Sequence, residues 1–241
     1  MKFYSPFLLA LAEMTPRRFL RTIGSGAAIV LVGIFIASPH GQASGQSSDG
    51  NDDASRIKRG FAIAPVRLNL AGKNRALVGL GSYIVNAQGD CNGCHSAGPA
   101  TEFAPGGNPY FGQPTKINPA TYLGGGRDFG PFPGPGPFPH IISRNLTPDK
   151  TGLPEGGHTF DEFVQIIRTG VDMDHLHPTC TGAPDGTCLP PPFDGDLLQI
   201  MPWPIYHNMT DRDLRAIYEY LSAIPCITGP PAPSPLHNDC E

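Results

Sequence analysis

Apolar residues recur at helical spacing in three stretches of the chain, at about 74–87, 159–170 and 210–225. In each stretch they fall three or four residues apart, which places them on one face of a helix. No stretch shows the alternation of a confident strand, so the pattern predicts an all-α protein with three or more short helices. The apolar faces consist of Leu77, Leu80 and Ile84; Phe160, Phe163, Val164, Ile166 and Ile167; and Leu214, Ile217, Tyr218 and Leu221.

Capping residues mark the ends of the second and third helices. Thr159 and Glu162 have the spacing of a capping box, and Gly170 is a typical C-terminal stop. Thr210 is suited to cap the third helix, which Pro225 closes.

Residues 97–140 form a long insertion that is rich in glycine and proline. The chain contains 30 Gly and 28 Pro among 241 residues, and the run 129–139 cannot hold a regular helix or a central strand. A structureless loop of this length is unusual in a compact domain, so we expect its aromatic residues to pack as a collar. These are Phe103, Tyr110, Phe111, Tyr122, Phe129, Phe132 and Phe138.

The first 43 residues have the pattern of a signal peptide. Three arginines between positions 17 and 21 precede an apolar run at 27–37, which has the length of a signal-peptide core and is short for a membrane span. Small residues predict cleavage after Ala43 and a periplasmic protein; an uncleaved membrane anchor is the alternative. Residues 44–75 are expected to form a flexible linker and an N-terminal extension, in which Pro65 argues against a long helix.

The exported part of the chain is acidic. The first 43 residues contain four of the 17 basic residues and one of the 21 acidic residues, so residues 44–241 carry a net charge of −7. This balance excludes a strongly basic nucleic-acid binder and favours a partner with a positively charged patch.

The chemistry-bearing motif is Cys91-Asn92-Gly93-Cys94-His95, the attachment signature of c-type haem. Its two thiols can reach two vinyl groups on one porphyrin edge, and the following histidine is then suited to bind the iron. The motif occurs once, which predicts one covalent haem. A disulfide between Cys91 and Cys94 is the alternative, and zinc is disfavoured because no second ligand pair completes a site.

The second iron ligand has several candidates. Met201 stands in a segment pinned by proline just ahead of the last helix, and it is the favoured residue. Met173, a histidine and an open position are the alternatives. Met209 precedes the helix cap Thr210, where an apolar residue acts as a hydrophobic staple. Trp203 is expected to pack against the porphyrin or to shield it.

Four further cysteines are expected to pair locally, as Cys180–Cys188 and Cys226–Cys240, because an exported protein meets oxidising conditions. Free buried thiols are the alternative.

Residues 172–177 are a weaker candidate for a metal site. Asp172, Asp174, His175 and His177 offer ligand types, but alternate positions in a loop do not fix a geometry. A solvated polar loop is the favoured interpretation.

Read in order, these segments resemble class I cytochrome c domains. The resemblance covers about 76–225, through the Gly-bearing first helix, CNGCH, the segment 145–152, and MPWPIYHNMTDRDLRAIYEYL. It is greatest to a haem domain of the cytochrome subunits of membrane-bound alcohol, sorbitol and gluconate dehydrogenases of Gram-negative bacteria. The resemblance implies that Met201 is the distal ligand. It also implies that the first and last helices cross, with Gly79, Gly81 and Tyr83 facing Tyr218 and Leu221.

The chain departs from that family in three respects: it has one CxxCH where those subunits usually carry three, a Gly/Pro-rich insertion, and four extra cysteines. We expect a signal peptide at 1–43, an extension at 44–75, a cytochrome domain at 76–225 and a tail at 226–241. The expected function is one-electron transfer between a dehydrogenase and a terminal oxidase or another cytochrome, with no catalytic residues of its own. A haem enzyme or sensor with an open distal site is the alternative.

Overall fold

The structure is a computed structural model that describes residues 48–232 and 234–241. The predicted signal peptide and its cleavage site lie outside the described residues. Among the helices described, none has the length and apolar character needed to cross a membrane.

The protein is mostly helical, with one small sheet. A π-helical turn, Ile84–Gln88, continues α2, and a 3₁₀ turn covers Pro109–Phe111. The helices are α1 Ser48–Ile63, α2 Arg75–Tyr83, α3 Cys91–Cys94, α4 Pro99–Glu102, α5 Pro154–Gly157, α6 Phe160–Thr169, α7 Trp203–Tyr206 and α8 Asp211–Leu221; the strands are β1 Asp128–Pro131 and β2 His140–Ile142.

The three predicted helices are confirmed as α2 with its π turn, α6 and α8. The Asn74 side chain caps α2 by accepting hydrogen bonds from the amides of residues 76 and 77. Thr159 and Glu162 form the predicted capping box of α6, and Gly170 ends that helix with a φ of 74°. Thr210 caps α8 as expected.

Helix α1 occupies a segment where the sequence indicated a flexible linker. The polar composition of this segment does not indicate a helix. Helix α1 is stabilised by its packing against α2. A Cβ atom on Gly60 would lie 1.9 Å from the carbonyl oxygen of Gly79, so the two backbones touch. The Ser82 hydroxyl also donates to the Gly60 carbonyl at 2.8 Å. Pro65 does end the helical region, since α1 stops at Ile63.

The all-α expectation is wrong in one place, within the Gly/Pro-rich insertion. Strands β1 and β2 pair antiparallel, with Asp128 opposite Ile142 and Pro131 opposite His140. Proline is tolerated because each strand of a two-stranded sheet has a free edge. The expected aromatic collar holds in part: Tyr122 is buried, whereas Tyr110 and Phe111 are 86% and 77% exposed.

Helix α2 packs closely against α8, but only one of its glycines faces that helix. A Cβ on Gly81 would lie 1.9 Å from the carbonyl oxygen of Ala216 and 2.8 Å from the Tyr220 side chain. Gly79 instead faces Ile57 and Phe61 of α1. The missing side chain of Gly79 therefore allows α1 to approach α2, and that of Gly81 allows α8 to approach it.

Both predicted disulfides are confirmed, Cys180–Cys188 and Cys226–Cys240. The second holds the C-terminal tail beside the segment 145–150. There the buried Asn238 amide donates to the carbonyl oxygens of Thr147 and Pro148 at 2.9 and 3.0 Å.

Adding a methyl group at the α2–α8 contact should destabilise the protein. We expect Gly81→Ala to lower the free energy of unfolding by about 1–3 kcal/mol, the usual cost of overpacking a core. Gly182→Ala is the control, because a Cβ there meets no atom within 4 Å, and it should change stability by less than about 0.5 kcal/mol. Chemical denaturation measures both, and equal effects would contradict the assigned contact.

Candidate haem site

One cavity gathers the residues that the sequence singled out. It spans about 1440 Å³ of space, part of it open to solvent. Its walls come from the π turn after α2, from α3, β2, α6 and α8, and from the loop 195–202. The walls are largely apolar, which excludes water from anything bound inside. The main apolar side chains are Ile84, Val85, Phe163, Ile167, Leu214 and Leu221.

Cys91 and Cys94 lie on the lining of this cavity at the two ends of α3. They are three residues apart in one helical turn, so both are on the same side of it. Neither sulfur is in a disulfide, so the alternative Cys91–Cys94 bond is not formed. Burial raises the pKa of the Cys91 thiol to about 12, with Asp90 adding to the effect. The sulfur is therefore an uncharged thiol at neutral pH.

His95 follows α3 and also lines the cavity. Its Nδ1 lies 2.8 Å from the carbonyl oxygen of Arg144. Because a carbonyl oxygen can only accept, Nδ1 carries the proton and Nε2 keeps a lone pair. Burial lowers the pKa of His95 below its ordinary value; the hydrogen bond to the Arg144 carbonyl opposes this effect, and the Arg144 charge reinforces it. The imidazole is thus neutral at pH 7, the form that binds metals.

Among the candidate distal ligands, Met201 lines the cavity and Met173 does not. Two candidates that the sequence did not assign to the cavity, Met209 and His177, also line it. Met209 packs against both core clusters, as expected for a residue preceding a capped helix. Met201 follows Ile200, whose φ of 68° is unusual for a β-branched residue.

Trp203 does not line the cavity, contrary to expectation. Its ring lies against Gly170, where a Cβ atom would be 2.2 Å from the nearest ring atom. Its Nε1 donates to the Leu198 carbonyl at 3.2 Å. The tryptophan therefore fixes the loop before Met201 to the end of α6, and it does so because Gly170 has no side chain.

The polar loop 172–177 is only partly solvated. Asp172 is buried and accepts from Arg144 Nη2 at 2.8 Å, while the more exposed Asp174 accepts from Nη1 at 2.5 Å. His175 is exposed and pairs with Asp196. No group of three or more His, Cys, Asp or Glu positioned to hold a metal ion occurs among the residues the structure describes.

Arg144 and Glu155 are site residues that sequence reasoning missed. Both line the cavity, yet neither belongs to a spacing pattern that could have singled it out. Burial raises the pKa of Glu155, an effect that Asp172 and Asp174 reinforce and that His158 and Arg144 oppose. Its φ of 54° is uncommon for a residue other than glycine.

Glu155 should make stability fall as the pH rises. The folded carboxyl has the higher pKa, so the folded state holds more protons than the unfolded state above the ordinary glutamate pKa of 4.5. We expect Glu155→Gln to raise the free energy of unfolding at pH 7 relative to the native chain, because it removes the cost of ionising a carboxyl in this site. The gain should disappear near pH 4. Denaturant titrations at both pH values measure this, and the same substitution at Glu219, which does not line the cavity, is the control.

Comparison with known proteins yields relatives of one kind. The chain is 32% identical over 150 residues to the gluconate 2-dehydrogenase cytochrome c subunit of Pantoea cypripedii, which covers 61% of this chain and 23% of the relative. It is 30% identical over 175 residues to the cytochrome c subunit of the quinone alcohol dehydrogenase of Gluconacetobacter polyoxogenes, covering 69% and 27%. The fructose dehydrogenase cytochrome subunit of Gluconobacter japonicus is 26% identical over 158 residues, covering 65% and 23%.

The chain spans about a quarter of the length of these relatives. No family model and no solved structure matches it. The resemblance inferred from the sequence is confirmed for the gluconate and alcohol dehydrogenase subunits, and fructose dehydrogenase is added to them. The chain is a cytochrome c that resembles the cytochrome subunits of these dehydrogenases.

Proposed function

We propose that this protein is a one-electron carrier with one covalent haem. The observation that carries the proposal is the presence of Cys91, Cys94, His95 and Met201 on a single apolar cavity. Two free thiols on one helical turn, a neutral imidazole and a thioether are together the donor set of a c-type haem. The residues present therefore fit this group.

Each residue has a distinct role in the proposed site. Cys91 and Cys94 would hold the haem through thioether bonds, and His95 would offer Nε2 because its Nδ1 donates to the Arg144 carbonyl. Met201 would supply a second ligand to the iron; it packs against one core cluster, whereas Met209 packs against both. A bound haem supplies the one-electron exchange between ferrous and ferric iron. The apolar walls would exclude water from the bound group.

We further assign residues 76–225 to a class I cytochrome c domain, preceded by a signal peptide at 1–43 and an extension at 44–75, and followed by a tail at 226–241. The close crossing of α2 and α8 beside the cavity supports this arrangement. The two disulfides support export to an oxidising compartment, for which we propose the periplasm.

The proposed electron donor is a dehydrogenase, since the relatives are named as subunits of dehydrogenases. The acceptor is a terminal oxidase or another cytochrome. Charge supports a basic partner surface: the exposed Asp194 and Asp196 flank Gly195, which lines the cavity, and 169–211 contains no lysine or arginine.

One haem per chain is the first test. The intact mass of the denatured protein, made in cells that mature c-type cytochromes, should exceed the polypeptide mass by one haem. Cys91→Ser and Cys94→Ser should each reduce this adduct, because one thioether bond is lost. The double substitution Cys180→Ser with Cys188→Ser should retain it. A protein without haem under these conditions would refute the proposal.

The second test concerns Met201. Met201→Ala should keep the haem attached but remove the long-wavelength ferric absorption band of methionine-ligated cytochromes c. External ligands should bind, and the midpoint potential should fall by roughly 100 mV or more, since axial ligands set haem potentials over about 0.8 V. Met173→Ala and Met209→Leu are controls that should keep the band. If the band were lost in one of the controls and kept in Met201→Ala, the ligand would be the methionine substituted in that control. A five-coordinate spectrum of the native protein would favour the alternative of an open distal site.

A further inference from the structure

Arg144 contacts the candidate proximal ligand through its backbone. Its carbonyl oxygen accepts the hydrogen bond from His95 Nδ1 at 2.8 Å. The same carbonyl packs against Gly125, where a Cβ atom would lie 2.5 Å from that oxygen, and Gly125 has a φ of 71° that favours glycine. The amide of Gly125 in turn donates to the His95 carbonyl at 2.8 Å. The backbone at Arg144 thus fixes the imidazole whatever side chain the residue carries.

The Arg144 side chain makes different contacts. Its two terminal nitrogens bind Asp172 Oδ1 at 2.8 Å and Asp174 Oδ2 at 2.5 Å. The side chains of Arg144 and Asp172 are only 15% and 8% exposed. Solvent screens such a pair weakly, and loss of one partner leaves a buried charge without compensation. The guanidinium therefore holds the segment 172–174 beside residue 144 at the cavity wall.

That segment is bonded to the loop that carries Met201. The Asp172 amide donates to the Asp196 carbonyl at 2.8 Å, and the Leu198 amide donates to the Gly170 carbonyl at 2.7 Å. Between these bonds, Val171 and Leu197 form an isolated antiparallel bridge. Residues 170–172 and 196–198 are thus in fixed register, three residues before Met201.

We propose that Arg144 is a positioning residue that joins the two ligand sides of the cavity: its carbonyl orients His95, and its guanidinium holds the Met201 loop through Asp172 and Asp174. This inference rests on the proposed haem site. Because the two contacts come from different parts of the residue, a side-chain substitution separates them. It should loosen the distal side and leave the proximal hydrogen bond in place.

The test uses the haem-loaded protein with Arg144→Gln, Arg144→Lys and the control Arg212→Gln. Arg212 pairs with Asp53 between α8 and α1, so the control removes the same charge away from the cavity. Hydrogen exchange in peptides covering 196–203 should become about tenfold faster in Arg144→Gln, with exchange in α8 unchanged. The affinity of ferric haem for added imidazole should rise about tenfold, since the distal methionine is displaced more easily. Arg144→Lys should change both quantities less than Arg144→Gln does, because an ammonium group keeps the positive charge but cannot bind both aspartates as a planar fork.

Two outcomes would overturn the inference. In the first, Arg144→Gln matches Arg212→Gln in both measurements. In the second, exchange increases equally in 196–203 and in α8, which would make Arg144 a residue of general stability. The hydrogen-exchange comparison needs no haem spectrum, so it decides the inference separately. The proposed function is tested separately on the native chain. It fails if the intact mass shows no haem adduct or if the ferric spectrum lacks the band of methionine ligation.

Discussion

The hydrogen bond from His95 Nδ1 to the Arg144 carbonyl determines what the cavity can bind. It leaves Nε2 with a lone pair. It also orients the imidazole ring, provided that the Arg144 carbonyl is itself held in place. That carbonyl is held by backbone bonds just beyond the two strands: the Ser143 amide donates to the Arg127 carbonyl at 3.0 Å, and the Gly126 amide donates to the Ser143 carbonyl at 2.9 Å. The orientation of the imidazole therefore depends on the Gly/Pro-rich insertion, outside the helical core.

Helix α2 connects the core to the same site. Glycine allows close backbone contact on both of its sides, at Gly79 with α1 and at Gly81 with α8. Contacts of this kind leave a helix little freedom to shift, because interiors pack at high density. The π turn then carries Ile84 and Val85 onto the cavity wall and ends with the Gly89 amide bonded to the Ile84 carbonyl at 2.8 Å. Helix α3 begins at Cys91, only two residues later, so the position of Cys91 follows from the packing of α2 between α1 and α8.

The features that the sequence predicts correctly are those encoded by neighbouring residues. The capping box at Thr159 and the two disulfides each depend on spacings of a few residues to 14. The features that it misses depend on contacts between distant segments. Helix α1 needs α2 to pack against, and the Arg144–Asp172 pair joins residues 28 apart. Such contacts leave no periodic pattern, since each partner alone is an ordinary polar or small residue.

The charges around the cavity bear on the potential of the proposed carrier. His95 and Cys91 are uncharged at neutral pH, and Arg144 is compensated by Asp172 and Asp174. Oxidation of a haem adds one positive charge to a site whose walls are apolar, and a buried charge without a counter-ion is costly. The walls therefore favour the ferrous form, in the same direction as a thioether ligand. Asp194 and Asp196 act the opposite way, but they are exposed and salt screens them. In the proposed carrier, the apolar walls and the thioether would therefore both act to raise the potential of a bound haem.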